Sequence, residues 1–152
     1  MTNDDSQQEL LEILILPYFY YIEKLLTMQS VSEVDASNWD QEISKSDSLA
    51  VVYFWHEQCP YCYRFGPIVD EVAREYRGRI KFAKLNMLQS PTNQEIASNF
   101  GIMSTPTLLF ICRGRPVGQI VGLLSKEDLE KTLDDTLLRY KQCLSQSSEW
   151  RP

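Results

Sequence analysis

The sequence predicts an α/β domain, a central mixed β-sheet flanked by helices, preceded by an extra N-terminal helical segment. Three observations carry this. Strand-type runs alternate with helix-type periodicity from Val31 onward, the last two strands are joined by a tight turn, and Leu10 to Ile22 form an apolar run of different character. A chain of 152 residues, 43% hydrophobic and 24% charged, suits one domain whose core needs no staples. The net charge of −6, with no basic run, argues against a nucleic-acid surface, because phosphate binding needs clustered Lys and Arg. Four cysteines are too few for a secreted disulfide scaffold. Two of them are spaced C-x-x-C, while Cys112 and Cys143 stand apart and read as bystanders. That usage fits a reducing compartment, the cytoplasm, with one reactive pair.

Residues 1–30 read as an extension, 31–141 as the domain and 142–152 as a polar tail. Asp4, Asp5 and Glu9 contradict the positive start of a signal peptide, and Glu23-Lys24 end the apolar run before the roughly 20 residues a membrane span requires. Pro17 should bend or split any helix there. The favoured reading is a helix packed on its own domain or on a partner, with contact to a membrane surface as the lesser alternative. Val31 to Val34 reads as a short edge strand, and Ser37 as the N-cap of a helix carrying Trp39 and Ile43. Leu49 to Trp55 is an unbroken β-branched and aromatic run, hence a buried central strand. Ile68, Val69, Val72, Ala73 and Tyr76 recur at helical spacing up to Gly78, where a helix would stop. A second strand follows from Arg79 to Asn86, a short helix from Asn93 to Phe100, and an apolar strand from Thr107 to Cys112. Arg113 to Pro116 reads as a hairpin turn into Val117–Val121, and Ser125 caps a last helix with Leu129, Leu133, Leu137 and Tyr140 along one face.

The chemistry concentrates at Cys59-Pro60-Tyr61-Cys62, between the strand ending at Trp55 and the helix containing Ile68. A sulfur at a helix N-terminus meets free N–H groups and the positive end of the macrodipole, both of which favour a thiolate. The thiolate is the attacking species in disulfide exchange, and the ordinary thiol pKa of about 8.5 leaves little of it at neutral pH. Two intervening residues let the second sulfur reach the first, so that a mixed disulfide can be resolved in place. Cys59, leading the helix, is expected to be the exposed nucleophile, with Cys62 one turn deeper as the resolving thiol. Pro60 lacks an N–H where a helix would leave it unpaired. Half of a zinc site is the rival reading, but it wants four Cys or His ligands, and His56 is the only histidine. No metal ligand set is therefore assigned. His56 reads as a surface histidine, with tuning of Cys59 as the alternative.

These residues, with Val52-Tyr-Phe-Trp55, Pro67-Ile-Val-Asp-Glu71, Phe82-Ala-Lys-Leu-Asn86, Gly101, Thr105-Pro-Thr-Leu-Leu109, Gly114 and Val121-Gly-Leu-Leu-Ser-Lys126, resemble the thioredoxin family over residues 49 to about 140, and more loosely over 31–48. The resemblance implies the thioredoxin fold and a protein-disulfide reductase that works by dithiol–disulfide exchange without a cofactor beyond its own redox-active disulfide. It also implies a cis peptide before Pro106, facing the cysteines, with the Thr105 backbone pairing with an extended substrate chain and Gly122 allowing that chain to approach. The partners implied are disulfide-containing proteins and a reductase as electron donor, a thioredoxin reductase ahead of glutathione.

Departures are equally visible. The buried Asp that usually precedes the family's Phe-Trp pair is Tyr53 here, read either as a packed aromatic or as a slow proton relay. The family's Trp before the first cysteine is Gln58, and the intervening Pro60-Tyr61 is the dipeptide of glutaredoxins. Lys84 keeps the family's lysine position and reads as supporting the Cys59 thiolate, with a deprotonated amine as the alternative. Trp55, Tyr53, Pro60, Tyr61 and Lys84 are thus expected to support the site. A glutathione-dependent glutaredoxin-like enzyme is the second reading. A non-catalytic binding module docked through residues 10–28 is the third.

Overall fold

The computed structural model describes residues 3–26 and 30–145. In chain order these form helix α1 (Asn3–Leu26), strand β1 (Val31–Glu33), a turn of π-helix (Asp40–Ser44), β2 (Leu49–Trp55), α2 (Pro60–Glu75), β3 (Ile80–Asn86), α3 (Pro91–Asn99), β4 (Thr107–Cys112), β5 (Arg115–Val121) and α4 (Lys126–Ser145). The sheet order is β1-β3-β2-β4-β5. β1, β3 and β2 run parallel, and β4 and β5 are antiparallel to their neighbours.

The middle of this sheet follows from composition. Leu49 to Phe54 are all buried, so the strand needs cover on both faces, which only a central position provides. Side chains alternate across a strand. Leu49, Val51 and Tyr53 accordingly pack with Phe65, Val69 and Val72 of α2 and Leu129 and Leu133 of α4. Ala50, Val52 and Phe54 pack on the other side with Trp39, Ile43 and Ala97. Lys126 clamps the two helices of the first layer, with its Nζ 2.8 Å from Glu71 and 2.7 Å from Glu75.

Several sequence expectations change on contact with the structure. α1 is continuous through Pro17, so the run is not split. Nor does its described apolar stretch pack on the domain: Leu10, Ile13, Leu14, Leu16, Tyr18 and Phe19 are all exposed. Ser37 does not cap a helix. Its N–H and hydroxyl both donate to the Asp35 carboxylate, and the helical segment shrinks to Asp40–Ser44, although Trp39 and Ile43 are buried as expected. The hairpin turn is shorter than read, just Arg113 and Gly114, both at positive φ (53° and 75°), the conformation that matches strand twist. Gly114 is required twice over, since a Cβ there would lie 2.9 Å from the Ser44 carbonyl oxygen. Pro116 is tolerated because β5 is an edge strand with a register shift opposite it.

Asn93 is a buried polar joint between α3, the end of β3 and the segment after β1. Its side chain is fully buried, its Oδ1 accepts the Ala36 N–H at 3.2 Å, and its Nδ2 donates to the Asn86 carbonyl at 3.0 Å. Asn93→Ala should cost about 1–3 kcal/mol, because it leaves the Ala36 N–H and the Asn86 carbonyl oxygen without these partners. Denaturant unfolding should show a lower midpoint at unchanged slope.

Candidate active site

The end of β2 and the start of α2 are separated by only His56, Glu57 and Gln58, plus Cys59 itself. That turn is pinned on three sides. The Cys59 N–H donates to the His56 carbonyl at 3.3 Å, the Gln58 N–H to His56 Nδ1 at 3.2 Å, and Asn86 Nδ2 to Glu57 Oε1 at 2.6 Å. Cys59 is the N-cap of α2, with extended backbone (φ −102°, ψ 103°), and Pro60 follows at the first helical position. The Cys59 Sγ accepts the backbone N–H of Cys62 at 3.2 Å, doing for this helix what a Ser or Asp oxygen usually does. A thiolate in the same place receives the same N–H as a charge-assisted bond.

Cys59 and Cys62 are joined in a disulfide, their Cα atoms 5.2 Å apart. The expected difference in exposure is absent: Cys59 is 5% and Cys62 4% exposed. Both sulfurs belong to one ring at the helix start, and that ring packs into the cluster of Tyr53, Phe65 and Val69. What separates the two is position at the cap, together with the exposed Pro60 and Tyr61 between them.

Beside Cys62 lies a cleft of about 260 Å³, lined among others by Tyr53, Trp55, His56, Asp70 and Lys84. Tyr53 is buried, stands edge-on to Phe65 at 5.8 Å, and donates its hydroxyl hydrogen to the Cys62 carbonyl at 2.9 Å. Burial, and secondarily the negative charge of Asp70, push its pKa up to about 12. The structure thus gives Tyr53 a packed, hydrogen-bonded role. Lys84 is its partner across the β2–β3 ladder, and its Nζ lies 3.4 Å from Glu33 Oε1. Its amine also lines the cleft of Cys62. Trp55 and His56 are half-buried at the other wall.

The peptide between Thr105 and Pro106 is cis. Thr107 is opposite Phe54 in the β2–β4 ladder and opposite Val121 in the β4–β5 ladder. Thr105 and Pro106 therefore lie just past the end of β2, at the edge of the sheet from which the Cys59 turn emerges. Gly122 is beside them, its N–H donating to the Pro106 carbonyl at 2.9 Å. Its φ of +99° strains any side-chain-bearing residue, although a Cβ there would meet nothing within 4 Å.

Sequence reading missed two residues. Asp70 follows Cys62 and Gly66 at successive intervals of four, the spacing of one helix face, and that periodicity is the signal that finds it. Met103, on the loop leading to Thr105, is 93% exposed, and nothing in its sequence context marks it. Cys112, expected to stand alone, is 1% exposed and disulfide-bonded. The side chain of Cys143 lies outside the described residues. Among the described residues no group of three or more His, Cys, Asp or Glu could hold a metal ion, and no helix is long and apolar enough to cross a membrane.

A helix-capping dithiol pair, set at the end of a central parallel strand with a cis proline at the same sheet edge, defines a thioredoxin-fold oxidoreductase. Comparison with known proteins agrees. The family model described as Thioredoxin matches residues 30–135. The chain is 37% identical over 110 residues to thioredoxin 1 of Nostoc sp., covering 72% of this chain and all of that protein. It is 40% identical over 103 residues to thioredoxin 2 of Chlorobaculum tepidum, covering 68% and 92% of the two. A chloroplastic M-type thioredoxin of Pisum sativum is 36% identical over 107 residues, 70% of this chain and 60% of its own length. The chain belongs to the thioredoxin family, and its activity is thiol–disulfide exchange of the protein-disulfide reductase type.

The hydroxyl of Tyr53 supplies a direct prediction. A raised phenol pKa means that the folded state holds its proton longer than the unfolded chain. This contribution to stability is therefore complete below about pH 10, and is lost as pH rises through about 12. Tyr53→Phe should cost about 0.5–1.5 kcal/mol at neutral pH through the lost bond to Cys62. It should also flatten part of the alkaline decline. Paired melting curves at neutral and alkaline pH, with phenolate absorbance followed on the same samples, read both effects.

Proposed function

We propose that Cys59 attacks the substrate disulfide and Cys62 resolves the resulting mixed disulfide. The observation that carries this reading is the Cys62 N–H donated to the Cys59 sulfur at the start of α2. That bond stabilises negative charge on Cys59, and it gives Cys62 no equivalent. In the first step the Cys59 thiolate bonds to one substrate sulfur, and the other leaves as a thiolate. In the second, Cys62 bonds to Cys59, the substrate sulfur departs, and the substrate ends reduced by two electrons while the enzyme ends as the Cys59–Cys62 disulfide. The sulfurs alone carry the exchange, with no metal or organic cofactor.

The substrate we propose is an extended segment of a disulfide-containing protein, laid across Thr105 and Pro106 as an added strand, with Gly122 leaving room for its backbone. Exposed Tyr61, Met103 and Val121 surround this edge and offer apolar contact. Trp55, Pro60 and Lys84 are proposed as the supporting frame. A thioredoxin reductase is favoured over glutathione as donor, since resemblance to glutaredoxins stops at Pro60-Tyr61. The cytoplasm is the compartment favoured for keeping such a dithiol reduced, and the disulfide at Cys112 counts against it. Residues 31–141 are proposed to carry the fold and the chemistry, and α1 to dock on a protein partner. The support for docking is its exposure on every side across Ile13, Leu14, Ile15 and Leu16.

Two experiments test these readings. Cys62→Ser should accumulate a covalent complex with a disulfide substrate, visible on non-reducing gels, and Cys59→Ser should form none and lose all turnover. Trapping by the second variant alone would reverse the roles. Deleting residues 1–29 should leave a folded, active protein with altered association by light scattering. Loss of folding would place the segment in the core, and unchanged mass with release from liposomes would point to a membrane surface.

A further inference from the structure

Resolution by Cys62 poses a problem that the disulfide form makes plain. Cys62 is 4% exposed, and a thiol must lose its proton before it can displace the substrate from Cys59. The proton needs an acceptor within the cleft that Cys62 lines. From β2 and the turn after it, the groups facing that cleft are Tyr53 and His56; from β3, Lys84; from α2 itself, Tyr63 and Asp70. Tyr53 holds its one hydrogen on the Cys62 carbonyl and keeps it throughout the working range. Lys84 Nζ is engaged by the Glu33 carboxylate 3.4 Å away. Tyr63 offers only a phenol. His56 has its Nδ1 occupied by the Gln58 N–H.

Asp70 is different. It stands on the same face of α2 as Cys62, two turns further on. Among the described residues its carboxylate has no hydrogen bond or salt bridge, whereas its neighbours Glu71 and Glu75 are both held by Lys126. It also lines an adjoining, larger groove of about 710 Å³ together with Arg74 and Lys84. One carboxylate therefore lines both the cleft at Cys62 and the adjoining groove, and both are open to solvent. The cleft's volume has room for the one or two waters that would link sulfur and carboxylate, and Tyr53, His56, Tyr63, Asp70 and Lys84 supply the polar groups on its otherwise apolar walls.

We propose that Asp70 receives the proton of Cys62 through the water of this cleft during resolution, with Tyr53 fixing the Cys62 backbone and Lys84 holding the carboxylate side of the cleft polar. The Cys62 S–H bond breaks, and its proton passes to the carboxylate. The sulfur's electron pair forms the bond to Cys59, and the substrate sulfur leaves as a thiolate that takes up a proton in turn. Asp70 touches neither sulfur, so it is a positioning and proton-accepting residue for Cys62. The inference rests on Cys62 being the resolving thiol, which the trapping experiment above decides separately.

The test isolates each half-reaction. A mixed disulfide between Cys59 and a chromogenic aromatic thiol is prepared at low pH, and release of that thiol is followed after a jump to a series of pH values. Asp70→Asn should slow release on the order of tenfold to a hundredfold near neutral pH. The deficit should close in alkaline buffer, where solvent takes the proton without help. Asp70→Glu should recover much of the rate. Attack by Cys59, measured with Asp70→Asn in the Cys62→Ser background, should keep its rate and pH profile. Several outcomes overturn the proposal: unchanged release in Asp70→Asn, equal slowing of attack and release, a deficit that persists at high pH, or the pH signature appearing in His56→Gln in place of the Asp70 variant. Asp70 is exposed on its helix, and equal melting temperatures for the variants exclude a folding defect.

Discussion

The structure depends on one junction, where a strand buried on both faces runs within four residues into the first turn of a helix. β2 can occupy the middle of the sheet only because every residue from Leu49 to Phe54 is apolar or, like Tyr53, finds its one polar partner inside. That burial fixes where Trp55 ends and hence where α2 begins. The first turn of any helix leaves N–H groups unpaired, and here one of them is given to sulfur in place of oxygen. The same bond that ends the strand–helix transition cleanly is the bond that favours a thiolate. Fold and reactivity are therefore not separate demands on Cys59, and a substitution that spoiled the cap would be felt in both.

Tyr53 changes the character of the ground beneath the site. A carboxylate at this buried position would have to be desolvated or protonated, either of which costs several kcal/mol unless it is offset by partners. A phenol has one hydrogen to place, and the Cys62 carbonyl takes it. The exchange makes the interior quieter and more apolar, at the expense of an acid–base group next to the resolving sulfur. Charge has instead been moved to the rim, where Asp70 and Lys84 line the cleft and remain in touch with solvent. Charges at a rim are screened and hydrated, so each is cheaper to keep ionised than one in the core.

How much of this was legible in the sequence depended on the range of the forces involved. Leu49–Trp55 and Thr107–Cys112 were read to the residue, because burial on both faces leaves a continuous apolar run that no helix of that length shares. The C-x-x-C pair and Thr105-Pro106 were legible as spacing along the chain. Short-range competition misled the reading at Ser37, whose polar groups go to Asp35 and not to a helix end. At the hairpin the expected turn of Arg113 to Pro116 narrows to Arg113 and Gly114, because both take the positive φ of a two-residue turn. The burial of Cys59 was invisible for another reason. It depends on how α2 lies against β2 and β3, and that is a property of packing between elements remote in sequence, whereas the helical spacing of Cys62, Gly66 and Asp70 was there to be read.

α1 is the one element whose presence the rest of the molecule does not explain. Helices in water gain most of their stability from burying one face, and isolated ones of ordinary composition are marginal. Among its described side chains no such face is buried: the four successive residues Ile13 to Leu16 point to four sides and all are exposed. A single groove would cover one or two of those sides and would leave a polar stripe favoured on the remainder, which the sequence lacks between Glu12 and Glu23. The proposed docking of α1 on a protein partner therefore calls for surroundings that enclose the helix, as neighbouring helices do in a bundle. The catalytic edge of the sheet asks the opposite of its partner, a brief contact with an extended chain that must leave once reduced. A chain with both surfaces can hold its place through the first and turn over substrates at the second, so that residence and catalysis need not compete for the same residues.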